Sequence, residues 1–384
     1  MHVSATRVLF PQPRIVIALK ISRILSFFTA ISLTFWLDGC TNLSYYAQAI
    51  DGQMEILRRV QPISMIIADP SADKTLKRAL SKVVLLREFA THDLKLPDNK
   101  SYTSYADLKR PYVIWNVYVT PEFSTELKKW CFVVAGCVDY RGFFSKEEAE
   151  NFAKELKSEG YDVHVGGIRA YSTLGWFDDP VLNTFIGYSE IELARLIFHE
   201  LAHQVVYVQD DSVFNESFAT MVEQEGISRW LENNGTVEQQ GAFDAKQNRK
   251  AVFTKLISNY RKRLKELFSS RVNDSEKRAS KLHIFSELRE EFSQIKAANA
   301  EFGSYDQWFA RQLNNALLAT ISTYTQLVSV FRTLLVQQGG DMERFYDTVK
   351  GISKLTKNER NSALRVSSDQ RRDVAKKRIQ VEPI

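Results

Sequence analysis

The chain predicts an α+β fold that is mostly helical, with a small mixed or antiparallel sheet. Three observations carry this. Apolar residues recur at three- and four-residue spacing over residues 45–60 and 71–94. Runs rich in aromatic and β-branched residues, YVIWNVYV (112–119), WCFVVAGCV (130–138) and YDVHVGG (161–167), alternate with turn signals. From Ser189 to about residue 350 the pattern is helical almost throughout, with breaks at Asn233-Asn234-Gly235, Asn273-Asp274, Phe302-Gly303 and Gly339-Gly340.

Taken in order, the elements begin with a targeting segment. Lys20 and Arg23 precede the apolar run ILSFFTAISLTFWL, which ends at Leu37-Asp38-Gly39-Cys40. A basic region, a short apolar stretch and a small residue before a break point describe a secretory leader. A cysteine directly after the small residue predicts lipidation at Cys40, tethering the chain to a membrane without spanning it. Thr41 in the next position points to the periplasmic side of the outer membrane, and an uncleaved anchor is the alternative. Either way the body of the protein is expected in the cell envelope. Residues 1–40 are thus the leader, 41–355 a single domain whose α+β part runs to about 188, and 356–384 a basic, disordered tail.

Within the domain, SKEEAENFAKELKSEG opens with Ser145 and Glu148 in capping-box spacing and closes at Gly160, which predicts a short helix between strands. Cys131 and Cys137 are expected as two buried thiols. A straight strand would separate them by about 20 Å, far beyond the reach of a disulfide, and a bridge requires a bend at Gly136. The net charge of +5 owes much to RRDVAKKR (371–378), read as a solvated tail because no nucleic-acid motif accompanies it.

Ser189 and Glu192 start the helix that carries the chemistry. On it His199 and His203 stand four apart, one turn, so both imidazoles project from one face with Glu200 beside the first. His-Glu-x-x-His on a helix suits one Zn²⁺ held by the two imidazoles, with Glu200 as the general base that takes a proton from water. Zinc needs a third protein ligand. Glu216, with twelve residues between it and His203, opens a second helix after a short turn, and an αα-hairpin would bring it to the cation. Asn215 is expected either to orient the loop or to cap that helix. Glu223, seven residues after Glu216, is expected to hydrogen-bond a ligand histidine, or else to be a solvated surface group. Tyr324 is a candidate oxyanion donor, and Asn314 or Asn315 would bond backbone. The segment VGGIRAYSTLGWFDDPV (165–181) is the candidate edge for aligning a peptide.

HELAHQ followed by FNESFA, with SYADLKRPYVIWNVY, WCFVVAGCVDYRGFF and VGGIRAYSTLGWFDDPVLNTF upstream, resembles a proteobacterial lipoprotein family described as predicted aminopeptidases. The resemblance runs over about residues 37–350. It implies a zincin-like fold and a zinc metallopeptidase of the gluzincin kind acting on peptides, with His199, His203 and Glu216 as ligands and Glu200 as base. The His-to-Glu gap is shorter here than in the better-known zinc aminopeptidases, and their glycine-x-methionine-glutamate-asparagine amine motif is absent. Asp139, Asp178 and Asp179 are the carboxylates left as candidates for a substrate ammonium. An envelope endopeptidase and a non-catalytic metal-binding scaffold are the competing readings.

Overall fold

The structure, a computed structural model, describes residues 45–132, 136–170, 172–173, 175–321 and 327–364. It separates into two compact units, Met1–Met54 and Glu55–Ile384. The described part of the first, residues 45–54, is helical. The second unit is mixed α+β and mostly helical, as the periodicities predict.

Its strands form three small sheets. β1 (Val60–Pro62), β2 (Ser104–Ala106) and β8 (Val181–Leu182) make a mixed sheet, antiparallel between β1 and β2 and parallel between β2 and β8. β3 (Ile114–Thr120) is the centre of an antiparallel sheet between β6 (Arg141–Phe143) and β7 (Asp162–Ile168). Its register pairs Ile114 with Ile168 and Asn116 with Gly166. Because side chains alternate across a strand, this register sorts the two faces. Trp115, Val117, Val119 and Phe143 lie toward the helix Lys146–Ser158, whose Ala149, Ala153 and Leu156 are buried and whose Phe152 meets Phe143. Ile114, Asn116 and Ile168 take the opposite face.

The third sheet corrects the sequence reading. WCFVVAGCV is a hairpin, β4 (Trp130–Phe132) against β5 (Gly136–Val138), not one straight strand. Cys131 and Cys137 stand directly opposite each other and form a disulfide, with Cα atoms 3.9 Å apart. Gly136 supplies the bend with φ +70°, a conformation that costs glycine little. The two thiols are therefore bridged.

Two helices carry the principal core: α4 (Glu190–Val205) and α5 (Ser212–Asn234), numbered after α1 (Ile63–Ala68), α2 (Lys74–His92) and α3 (Lys146–Ser158). Gly226 allows their close approach, since a Cβ there would stand 2.6 Å from Leu94 and 2.7 Å from Phe198. Phe198, Leu201, Phe214, Phe218 and Val222 are completely or almost completely buried. A second cluster, built on Phe253, Ile257, Leu288, Phe292 and Phe309, holds the long hairpin of α6 (Val237–Ser269) and α7 (Asp274–Ala298). The expected tail beginning at residue 356 is helical over 357–364, and Arg360 is buried. A buried ion pair between Arg360 and Asp211 holds it there. No described helix is long and apolar enough to cross a membrane. Cys40, Tyr324 and the run 371–378 lie outside the described residues.

Candidate metal centre

The Ser189 side chain caps α4 by accepting from Glu192 N at 3.4 Å, and Glu190 and Glu192 complement the positive end of the helix dipole. Leu193, Ala194, Ile197, Leu201 and Ala202 bury the inner face. That leaves His199, Glu200 and His203 along the rim that faces the sheet, where all three line one cavity.

The turn out of α4 is held on several sides. Asn215 clasps Val208, accepting from its N–H at 2.8 Å and donating to its carbonyl at 2.7 Å. Asn215 thus orients the loop; the helix cap is Asp211, which accepts from Phe214 N. The other Asp211 oxygen accepts from the Arg360 guanidinium at 3.0 and 2.6 Å, and this buried pair seats residues 357–364 against the turn.

So fixed, α5 delivers Glu216 to the imidazoles. Its carboxylate lies 3.2 Å from His199 Nε2 and 3.6 Å from His203 Nε2, and the two Nε2 atoms are 3.2 Å apart. These three donors form a group able to hold a metal ion. Bonds of about 2.0–2.1 Å in a tetrahedron place neighbouring ligand atoms roughly 3.3 Å apart, so the spacing here fits zinc, as does the donor chemistry. On the far side of the ring, His199 Nδ1 meets Glu223 Oε2 at 3.0 Å, and Arg195 stands 3.6 Å from the same oxygen. Glu223 is 1% exposed, so it is a buried partner of the histidine and not a surface group. A proton on Nδ1 donated to Glu223 leaves the Nε2 lone pair directed at the cluster.

The buried groups here shift one another's protonation in opposite directions. Burial works against a charged His199, yet hydrogen bonding to Glu216 and Glu223 carries it up to about 10. His203 is pushed down to about 4, first by burial and then by the charge on His199. Glu216 is lowered, because His199 and His203 outweigh its burial. Glu200 is raised to about 7, by burial and by the carboxylates of Glu216 and Asp179, in opposition to His199. That value suits a group that must accept and return a proton near neutrality.

Two cavities of about 420 Å³ meet at His199 and Glu200 and share Ile168 and Ala170. One adds Asn116, Asp139, Tyr140 and Tyr207; the other adds Arg169, Tyr188 and Arg195. A third, open groove of about 780 Å³ follows residues 163–168, along β7, past Lys154, Lys157 and Arg311. β7 is an edge strand and pairs only with β3 among the described residues. Part of the expected aligning segment therefore lies beside the centre.

Asn314 and Asn315 bond backbone, Asn314 to Val163 O at 3.0 Å and Asn315 to Glu122 O at 2.9 Å, and neither lines the two central cavities. Of the three aspartates, Asp178 is exposed on the surface. Asp179 is occupied by Ser172 and Thr173, and only Asp139 lines a central cavity. Sequence reading passed over Asn116, Tyr140 and Tyr207. Asn116 left one trace, a polar residue inside the apolar strand YVIWNVYV.

The class of protein this defines is a mixed α+β, mostly helical one with a buried His-His-Glu group able to bind a metal ion. The chain belongs to the family described as "Putative aminopeptidase", whose model matches residues 44–364. Searches of curated proteins and of solved structures return no match.

Proposed function

We propose that the protein is a zinc-dependent aminopeptidase of the gluzincin kind, with a zincin-like catalytic region. Family membership suggests peptide hydrolysis. The observation that carries the finer reading is the convergence of His199, His203 and Glu216 beside Glu200 in a cavity that adjoins an open sheet edge. His199 and His203 through Nε2, and Glu216 through its carboxylate, would hold the ion. A zinc ion bound there supplies Lewis acidity toward a carbonyl and toward water.

The chain's own groups divide the remaining work. Glu200 takes a proton from the attacking water onto its carboxylate and returns it to the leaving amine. Its position among buried groups makes both transfers close to balanced at neutral pH. Glu223 fixes the tautomer and tilt of His199, and Asn215 keeps the turn that sets Glu216 in place. β7 is an edge strand, and beyond Val163, whose carbonyl Asn314 takes, its outer side offers a place along which an extended peptide can lie. The leader ending at Cys40 supports a lipid tether in the envelope, on the periplasmic side of the outer membrane.

The test joins metal content to turnover. Wild-type protein loaded with zinc should bind one ion per chain and release the first residue of short unblocked peptides. Glu216→Ala should lose the ion, and Glu200→Gln should keep it while losing turnover. Full metal occupancy in Glu216→Ala would remove that carboxylate from the ligand set. Undiminished hydrolysis by Glu200→Gln would end the role of the base.

A further inference from the structure

The two cavities that meet at His199 and Glu200 have opposite electrical characters. Arg169 and Arg195 line one, whereas the described lining of the other holds no lysine or arginine and instead presents Asn116 and Asp139. We propose that Asn116 and Asp139 form the pocket that receives the free α-ammonium of the substrate, and so set both the amino-terminal specificity and the direction in which the peptide lies. This rests on the peptidase reading above.

Asn116 is 4% exposed, and its Oδ1 has no hydrogen-bond partner. Its Nδ2 donates to the Tyr118 hydroxyl at 3.3 Å, which fixes the amide so that the carbonyl remains the free end. A buried acceptor left without a donor is costly, so an orphan of this kind calls for an account. Asp139 is half-buried in the same cavity and makes no ion pair among the described residues. A half-exposed carboxylate with no ion pair and a buried amide carbonyl with no donor are complementary to an ammonium with its three N–H donors and single positive charge. A peptide α-amine, whose ordinary value is about 8, is charged at pH 7.

The pocket is also held rigidly. Asp139 follows the disulfide hairpin directly, and Cys137 N donates to Asp210 Oδ1 at 2.7 Å in the turn between α4 and α5. A Cβ on Gly136 would stand 2.8 Å from Gln209, so the hairpin lies flat on that turn. The same turn sets Glu216, so the acceptor pair and the ligand set share one support. With its ammonium at Asp139, a peptide crosses Glu200 and leaves toward the arginine-lined cavity and the β7 edge, where Lys154, Lys157 and Arg311 face its carboxyl end.

The experiment reads binding apart from turnover. Zinc-loaded Glu200→Gln, as the full chain, is titrated calorimetrically at pH 7 with a free-amine tripeptide and its N-acetylated twin. The free amine should bind about 10-fold more tightly or better. Adding Asp139→Asn should remove most of that preference without changing affinity for the acetylated twin, and Asp139→Glu should restore part of it. Asn116→Ala should remove a smaller part. Asp139→Asn should also keep its zinc and melt no lower than its parent, since the acid has no protein partner to lose.

Equal affinity for the two peptides, binding of neither, or a preference untouched by Asp139→Asn would overturn the pocket. A parallel hydrolysis assay on the wild type separates the two readings. Equal cleavage of free and acetylated peptides sinks the pocket and leaves the hydrolase. A preference that depends on Asp139, with no turnover of any peptide, keeps the pocket and sinks the hydrolase.

Discussion

The two helices beneath the metal-ligand cluster and the disulfide hairpin above it hold their functional groups by different means. In α4 and α5 position follows from local geometry. Four residues make one turn, Ser189 and Asp211 cap the starts, and Gly226 lets the pair close. The hairpin has only short strands, a covalent bridge ties its two arms together, and its place comes from contacts distant in sequence, Cys137 to Asp210 across 73 positions and Trp130 to Phe152. On the proposed reading the floor carries the chemistry, which tolerates little displacement, and the roof carries recognition. Changes below should affect every substrate alike, and changes above should affect the choice among substrates.

The sharpest way to break this division is Glu200→Gln on the floor, with turnover expected to fall about 10³-fold for all peptides. Steady-state rates on free-amine and acetylated substrates check it, and a loss confined to one of them would contradict the division.

Next in size is a stability effect at the same residue. Glu200 is raised to about 7 in the fold from an ordinary value of 4.5. Between those values the folded state binds the extra proton, so stability falls as pH rises, and the cost is complete above 7. It amounts to about 3 kcal/mol. Chelated Glu200→Gln should therefore melt higher than chelated wild type at pH 8 and no higher at pH 4. Equal melting at pH 8 would show that the carboxylate carries no such cost.

On the roof, replacing both Cys131 and Cys137 by serine should cost about 2 kcal/mol, because the closed loop is small. The more telling readout is KM, expected to rise with kcat little changed. A kcat effect without a KM effect would mean that the hairpin reaches into the chemistry. Smallest is Glu223→Gln, which should weaken zinc binding about 10-fold by loosening the hold on His199. Competition with a chromogenic chelator measures it.

The same division explains what could be read from sequence. His199, Glu200 and His203 follow from helical period alone, and Glu216 from the shortness of the turn, so the structure brings all four together as the spacing implies. Glu223 was legible as a residue but not as buried, since burial depends on which face Arg195 and α4 cover. The cysteine reading failed because it treated WCFVVAGCV as one strand. The apolar alternation is the same on the two arms of a hairpin, and only Gly136 hinted at the reversal. Asn116 and Asp139 meet the centre through pairings between β3, β6 and β7 and through the seat on Asp210, none of which is periodic. The short strands β1, β2 and β8 escaped for a related reason, being held by partners distant in sequence.

Arg360 reaches back to Asp211 across 149 positions, locking the turn from which both Asn215 and Glu216 depart. A polypeptide made from its amino end therefore carries every ligand and the base long before it carries this latch. Until residue 360 has emerged, the αα-turn is open on one side and Asp211 has no guanidinium to answer it. The ligand set is thus braced by a side chain from the far end of the matched region, so a cut or truncation before residue 360 would reach the centre without touching any of its donors.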